Sequence, residues 1–306
     1  MVSRGRVAIV GSEGVREVLM PEFSKRFSTV VFFTPWSIKL TAGELVSATS
    51  GRFDLSNFDY VLLLPEGPEK EFYYTLARIL ERKTRVSVPS ETLAYFWNKP
   101  VLLNKLALGG VPIRRTVSVS QNVAADFIKE NFKLPVILTT PQDKRVYVSN
   151  EETLRNVLSL FSAGHMVSVQ KPVKDAEVRV VFVSEREVVG YSRHGKKRLP
   201  VRVDPKLASI AQDVRRTLGA DYCSIIFVKI GKRFYLSNVK FVPRFDLFKK
   251  VLGKNLASIM AEEATHRIAA IDPIAMVENA VAGFGKTLQN IVRWICDEIG
   301  YTRSSK

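Results

Sequence analysis

Asn98 to Thr116, NKPVLLNKLALGGVPIRRT, carries a lysine on a helix, breaks that helix at Gly109-Gly110 and leads through Val111-Pro112 to Thr116 at a strand start. A lysine there is a compact cation on a flexible stem, suited to gripping a phosphate. Further cations follow at Lys171, Arg179, Arg193, Lys240 and Arg244, with Gln170 closing the apolar run MVSVQ. The charge is unevenly spread. Residues 193–254 hold sixteen Lys/Arg against Asp204, Asp213, Asp221 and Asp246, which is +12 of the chain's +16. A basic segment of this density points to an anionic partner, nucleic acid first, with a solvated basic face as the plain alternative. Within it Phe241, Phe245 and Phe248 alternate with Lys240, Arg244, Lys249 and Lys250. Interleaved rings and cations can stack bases, but the same spacing fits an amphipathic segment that packs its rings inward, and inward packing is expected here.

Other motifs carry less. Gly283–Thr287, GFGKT, ends like a phosphate-binding loop, yet Ala280 stands where the first glycine is required and no strand precedes it, so a break between helices is expected. His165, His194 and His266 show no metal-ligand spacing. His194 lies in RHGKKR and is placed to touch phosphate, while the other two read as structural. Residues 193–198 read as a loop, either solvated or anion-binding. Cys223 and Cys296 are far apart and outside any C-x-x-C pattern, which suits buried thiols in a reducing cytoplasm. Trp294 and Ile295 read as a packing face, open to a partner chain.

These residues need elements to hold them. Apolar runs at 6–11, 29–34, 59–64 and 85–88 alternate with helical patterns at 14–27 and 69–82, the signature of a parallel sheet covered on both faces. The turn after the first run is Gly-Ser-Glu-Gly, which lacks the spacing of a dinucleotide fingerprint. One helix is expected over 92–108, then strands at 115–119, 136–140 and 145–148 interleaved with helices at 123–131 and 151–162, then a strand at 166–170. Two hairpins follow, 177–184 with 187–193 and 223–230 with 234–239, separated by a helix over 204–218; a tail from 272 to about 300 reads as helical.

Asn98-Lys99, Gly110-Val111-Pro112 with Thr116, Met166–Gln170, Glu177-Val178-Arg179 and the hairpin 223–243, in this order, resemble the RimK-like ATP-grasp carboxylate–amine ligases from about residue 5 to 270. The resemblance implies an α/β ATP-grasp fold: a parallel-sheet pre-ATP-grasp domain over 1–91, a small subdomain over 92–170, a large subdomain over 171–271 and a helical extension over 272–306. It implies ATP, joining of a carboxylate to an amine through an acylphosphate, and magnesium held by carboxylates. Lys99 would face the phosphates, the strand ending in Gln170 would hold the adenine, and Arg179 would face phosphate or acyl group.

The chemistry departs from that pattern. The second ATP lysine falls at Thr139, the glycine-rich lid is reduced to Pro141-Gln142-Asp143-Lys144, and the hinge glutamate becomes Lys171. The magnesium-binding glutamate and asparagine become Asn238 and Lys240, and the earlier metal aspartate becomes Ile226. Magnesium needs oxygen ligands in octahedral array. An ammonium within ~4 Å repels a dication by several kcal/mol even at an effective dielectric of about 20. The expectation is therefore an ATP-grasp-like pseudoenzyme with no catalytic residues and no metal site. Its basic cleft, with Lys99, Gln170, Lys171, Arg179, Arg193, Lys240 and Arg244 as nucleotide or anion contacts, binds nucleic acid or a nucleotide, ATP without magnesium being the cofactor left open. The alternatives are a divergent ATP-dependent ligase acting on an amino acid, peptide or protein, and a scaffold that docks partners through its terminal helices.

Composition bounds these readings. With 46% hydrophobic and 25% charged residues the chain has an ordinary globular balance. Its apolar runs, such as 61–64 and 180–183, are too short to span a bilayer, and MVSRGRVAIVGSEG lacks a signal-peptide cleavage pattern. A cytoplasmic protein without membrane association is expected.

Overall fold

The computed structural model describes residues 3–42, 46–66, 69–139, 145–160, 166–173 and 176–270. The chain opens with β1 (Ser3–Val10), α1 (Glu13–Ser24) and β2 (Phe27–Phe33), then a small antiparallel insert of β3 (Lys39–Thr41), β4 (Ser47–Ser50) and β5 (Phe53–Asp54). β6 (Tyr60–Leu63), α2 (Lys70–Leu80) and β7 (Arg85–Val86) complete a parallel sheet ordered β2-β1-β6-β7. β6 is buried at every position, which is why it reads as a continuous apolar run without alternation. The insert, whose strands carry Ser and Thr, gives no such signal and is not apparent in the sequence.

The helix expected over 92–108 is two: α3 (Ser90–Phe96) and α4 (Lys99–Leu108). Pro100 has no N–H to donate and clashes with a preceding helical turn, so it sits comfortably only in a first turn. Asn98 caps the new helix by accepting from the Val101 N–H. The break places Lys99 at the start of α4, aimed out of the helix end.

β8 (Val117–Ser120), α5 (Gln121–Asn131), β9 (Val136–Thr139), β10 (Arg145–Val148), α6 (Glu151–Ser159) and β11 (Met166–Gln170) form the small subdomain, its antiparallel sheet ordered β10-β9-β11-β8 around its own core. The large sheet is ordered β14-β13-β12-β15-β16, from β12 (Glu177–Ser184), β13 (Val188–His194), β14 (Lys197–Val201), β15 (Tyr222–Ile230) and β16 (Arg233–Lys240). α7 (Pro205–Leu218) covers one face, capped by Asp204 and stopped by Gly219 at φ +61°. α8 (Phe245–Leu252) and α9 (Leu256–Ala269) cover the other. One buried cluster runs from the N-terminal sheet through α4 into the large sheet, so the two pack as one body around Leu63, Leu102, Val181 and Phe227.

The loop expected at 193–198 is a hairpin instead: β13 runs to His194, turns at Gly195 (φ +58°), and β14 pairs back along it. Phe241, Phe245 and Phe248 are all buried, as inward packing predicts, and none presents a ring for stacking on a base. No described helix is long and apolar enough to cross a membrane.

Candidate functional site

The β15–β16 hairpin sets the site. Ile226 pairs with Asn238 and Ser224 with Lys240, and the register then slips so that Phe227 meets Leu236 and Ser237 bulges out. Asn238 is thus lifted toward α4, where the Lys99 ammonium donates to its Oδ1. The positions that the resemblance assigns to metal ligands therefore hold an isoleucine, an amide and an exposed lysine. One amide oxygen and a fixed ammonium do not make an octahedral oxygen set, so these residues do not fit magnesium. Among the described residues no three His, Cys, Asp or Glu side chains gather as a metal-ligand set.

The small subdomain faces this hairpin. Gln170 is buried at the end of β11, its Nε2 donating to Thr116 Oγ1 at 2.6 Å, so its side chain is tied to the strand's own subdomain. The Lys171 ammonium donates to the Lys133 carbonyl and stands 5.8 Å from the Phe132 ring centre. It is thereby turned onto its own subdomain and does not join Lys99. Two cations that sequence reasoning passed over stand in its stead. Pro112 accepts from the Leu236 N–H at 2.8 Å and Ile113 bridges to Leu236, which sets Arg114 beside β16. The Arg114 guanidinium donates to the Lys171 carbonyl. Arg145, register partner of Thr139, crosses to the bulge and donates to Ser237 Oγ at 2.9 Å and to the Ser237 carbonyl at 2.5 Å. Burial, and then the charge of Arg145, depress the Arg114 pKa. The doublet Arg114-Arg115 and the cation directly after the shortened lid were the available signals, but neither has a fixed place in the resemblance.

The remaining cations lie over the large sheet. Arg179 is paired with Glu177, which Lys229 also approaches at 3.5 Å and His194 at 3.9 Å, so this arginine is already matched by a carboxylate. Arg193 stands directly across from Arg198 on the β13–β14 hairpin. Burial raises the Tyr191 hydroxyl pKa, Arg198, Arg193 and Arg244 pull it back down, and Asp246 raises it again. α8, which begins directly after Arg244, lies on β13 with Phe248 5.2 Å from the Tyr191 ring. Beside them opens a cleft of about 550 Å³ against the turn after β1. Lys240 and Arg244 line it together with Glu66 and Asp246, so its charge is mixed, with Arg244 3.5 Å from Asp246. The lid Pro141–Lys144, His165, the GFGKT segment, Cys296, Trp294-Ile295 and the helical extension 272–306 lie outside the described residues.

With this geometry in hand, the chain was compared with known proteins. No protein-family model matches the sequence, and no curated protein does. Among solved structures it is similar to a RimK-domain ATP-grasp protein from Sphaerobacter thermophilus, with a TM-score of 0.69 and 20% identity over 84% of this chain and 98% of that one. The ATP-grasp ligase PsnB, solved with a minimal precursor, Mg and ADP, gives 0.67 at 12% identity over 88% and 99% of the two chains. D-alanine–D-alanine ligase from Bacillus anthracis gives 0.58 at 14% identity over 86% and 98%. At these identities the likeness is one of fold, and the chain has the ATP-grasp fold.

Proposed function

We propose that this chain uses the ATP-grasp fold without magnesium-dependent ligase activity, as a cytoplasmic protein that binds an anionic partner, nucleic acid foremost. The observation that carries the reading is the contact of the Lys99 ammonium with Asn238, opposite Ile226 and beside Lys240. That arrangement offers a dication repulsion and one amide oxygen where the acylphosphate chemistry needs carboxylates. Lys99, Lys171, Arg179, Arg193, Lys240 and Arg244 are then anion contacts. The support is strongest for Arg193 and Arg244, which are exposed, as is Arg198 across the hairpin from Arg193.

Filter binding to tRNA and to duplex DNA at about 50 mM salt tests the partner. Six phosphate contacts on duplex predict a log–log salt slope of about −5.4. Undetectable binding to both nucleic acids sinks the partner assignment. The competing reading, an ATP-dependent carboxylate–amine ligase acting on an amino acid, peptide or protein, is favoured by the ligase neighbours and by the retained Arg179. It requires ADP release that depends on magnesium and on such a substrate; calorimetry with ATP, with and without magnesium, separates the two.

A further inference from the structure

The geometry points to a separate anion site in which Arg114 and Arg145, beside the Ser237 bulge, hold a compact polyphosphate, a di- or triphosphate chain free or on a nucleotide, without magnesium. This inference rests on the reading that the metal seat is lost. Two arms of the small subdomain converge on the same turn of β16: the segment pinned by the Pro112–Leu236 hydrogen bond carries Arg114, and β10 carries Arg145 to Ser237. Arg145 lies opposite Thr139, so a cation reaches the uncharged end of β9 from the neighbouring strand.

Neither guanidinium has a carboxylate partner among the described residues. Arg114 is held by one backbone carbonyl, and Arg145 by one carbonyl and one hydroxyl. Such dipoles position a guanidinium without cancelling its charge. Each fork has five N–H donors, so most remain for a ligand. Burial, and after it the charge of Arg145, lowers the Arg114 pKa, and a multiply charged anion bridging the two guanidiniums removes the repulsion between them. Planar forks suit phosphate oxygens in bidentate pairs, and adjacent phosphates on one chain could engage both arginines together. A protein that grips bare phosphate with cations competes with magnesium for the same oxygens. Magnesium should therefore weaken binding, the opposite of its role in a ligase.

The test is isothermal titration of the full chain with inorganic triphosphate, ADP and ATP, first in EDTA and then in excess magnesium. Binding is expected in EDTA and about tenfold weaker with magnesium. Arg114→Gln and Arg145→Gln should each weaken it about tenfold, the effect of losing hydrogen bonds to a charged group. Thermal melts of each variant verify folding, and triphosphate should raise the wild-type midpoint more than that of either variant. Equal binding of all three ligands assigns the site to the phosphate chain; binding of the nucleotides alone assigns it to a nucleotide. No binding in EDTA, binding that strengthens with magnesium, or affinity unchanged in both variants overturns the proposal. Absent triphosphate and nucleotide binding with tRNA binding intact defeats this site alone, whereas magnesium-dependent ADP release defeats the reading beneath it.

Discussion

Two clusters of arginine in this molecule are built in opposite ways. At the junction of the N-terminal sheet, the large sheet and α9, Asp221 is buried with its side chain 3% exposed. It accepts from the Tyr60 hydroxyl at 2.9 Å and pairs with Arg85 at 3.0 Å and Arg267 at 2.9 Å. Arg267 also meets Glu263 at 2.8 Å and Glu185 at 2.6 Å. Three carboxylates surround two guanidiniums there. Beside the Ser237 bulge Arg114 and Arg145 have only carbonyl and hydroxyl acceptors among the described residues. The chain is thus able to match half-buried arginines with acids where the structure needs a joint. The cation excess beside the bulge is a local arrangement and does not follow from the net charge alone.

The largest expected effect breaks the joint. Asp221→Ala strips the Tyr60 hydroxyl and Arg85 of their carboxylate while Arg267 keeps Glu263 and Glu185, at a cost of about 3 kcal/mol in chemical denaturation. A loss below about 1 kcal/mol would mean the junction is no better matched than the pair beside the bulge. Next comes the pH dependence of the same region. Burial raises the Glu263 carboxyl pKa above its ordinary 4.5, outweighing the lowering by Arg267, with Asp221 and Glu185 raising it further. The folded state then keeps this proton at pH values where the unfolded chain has released it. The group's contribution is full below 4.5 and declines as pH rises through the raised folded value. Glu263→Gln should flatten that decline, and an unchanged stability–pH profile would remove the assignment.

A smaller effect tests the cleft by making it resemble the joint. The double change Asn238→Glu and Lys240→Asn supplies one carboxylate and removes the ammonium, and should turn magnesium from a competitor of ATP into a helper, a shift of about tenfold in affinity. If magnesium dependence stays as in the wild type, something other than these two side chains sets it. The smallest effect is at the surface. Lys254 reaches Glu187 at 2.7 Å with its side chain 50% exposed, so Lys254→Ala should cost under about 1 kcal/mol, read as a small shift in the denaturation midpoint.

Much of this fold was legible because its strands are unusually plain. β6 and β15 are apolar along most of their length and β1 over its second half, and the Gly231-Lys232 turn and the Asp204–Gly219 caps mark where elements stop. Other parts were hidden for definite reasons. Pro100 is tolerated in the first turn of a helix, so the pattern over 92–108 does not reveal that a new helix begins there. β14, Lys-Arg-Leu-Pro-Val, has no alternation of its own and is a strand because β13 supplies its hydrogen bonds. The site was legible by residue type but not by company: Lys171 and Gln170 turned inward to their own subdomain, while Arg114 and Arg145 took the place beside the hairpin.

What the sequence by itself determined is what stands at each position of the β15–β16 hairpin, Ile226, Asn238 and Lys240, since side-chain chemistry is set by residue type. Which cations meet was decided only by the tertiary structure. Arg145 reaches Ser237 across 92 residues through one slipped register, and α8 docks Phe248 on Tyr191. Contacts of that kind depend on strand pairing and on where a bulge falls, and a local pattern of residues encodes neither.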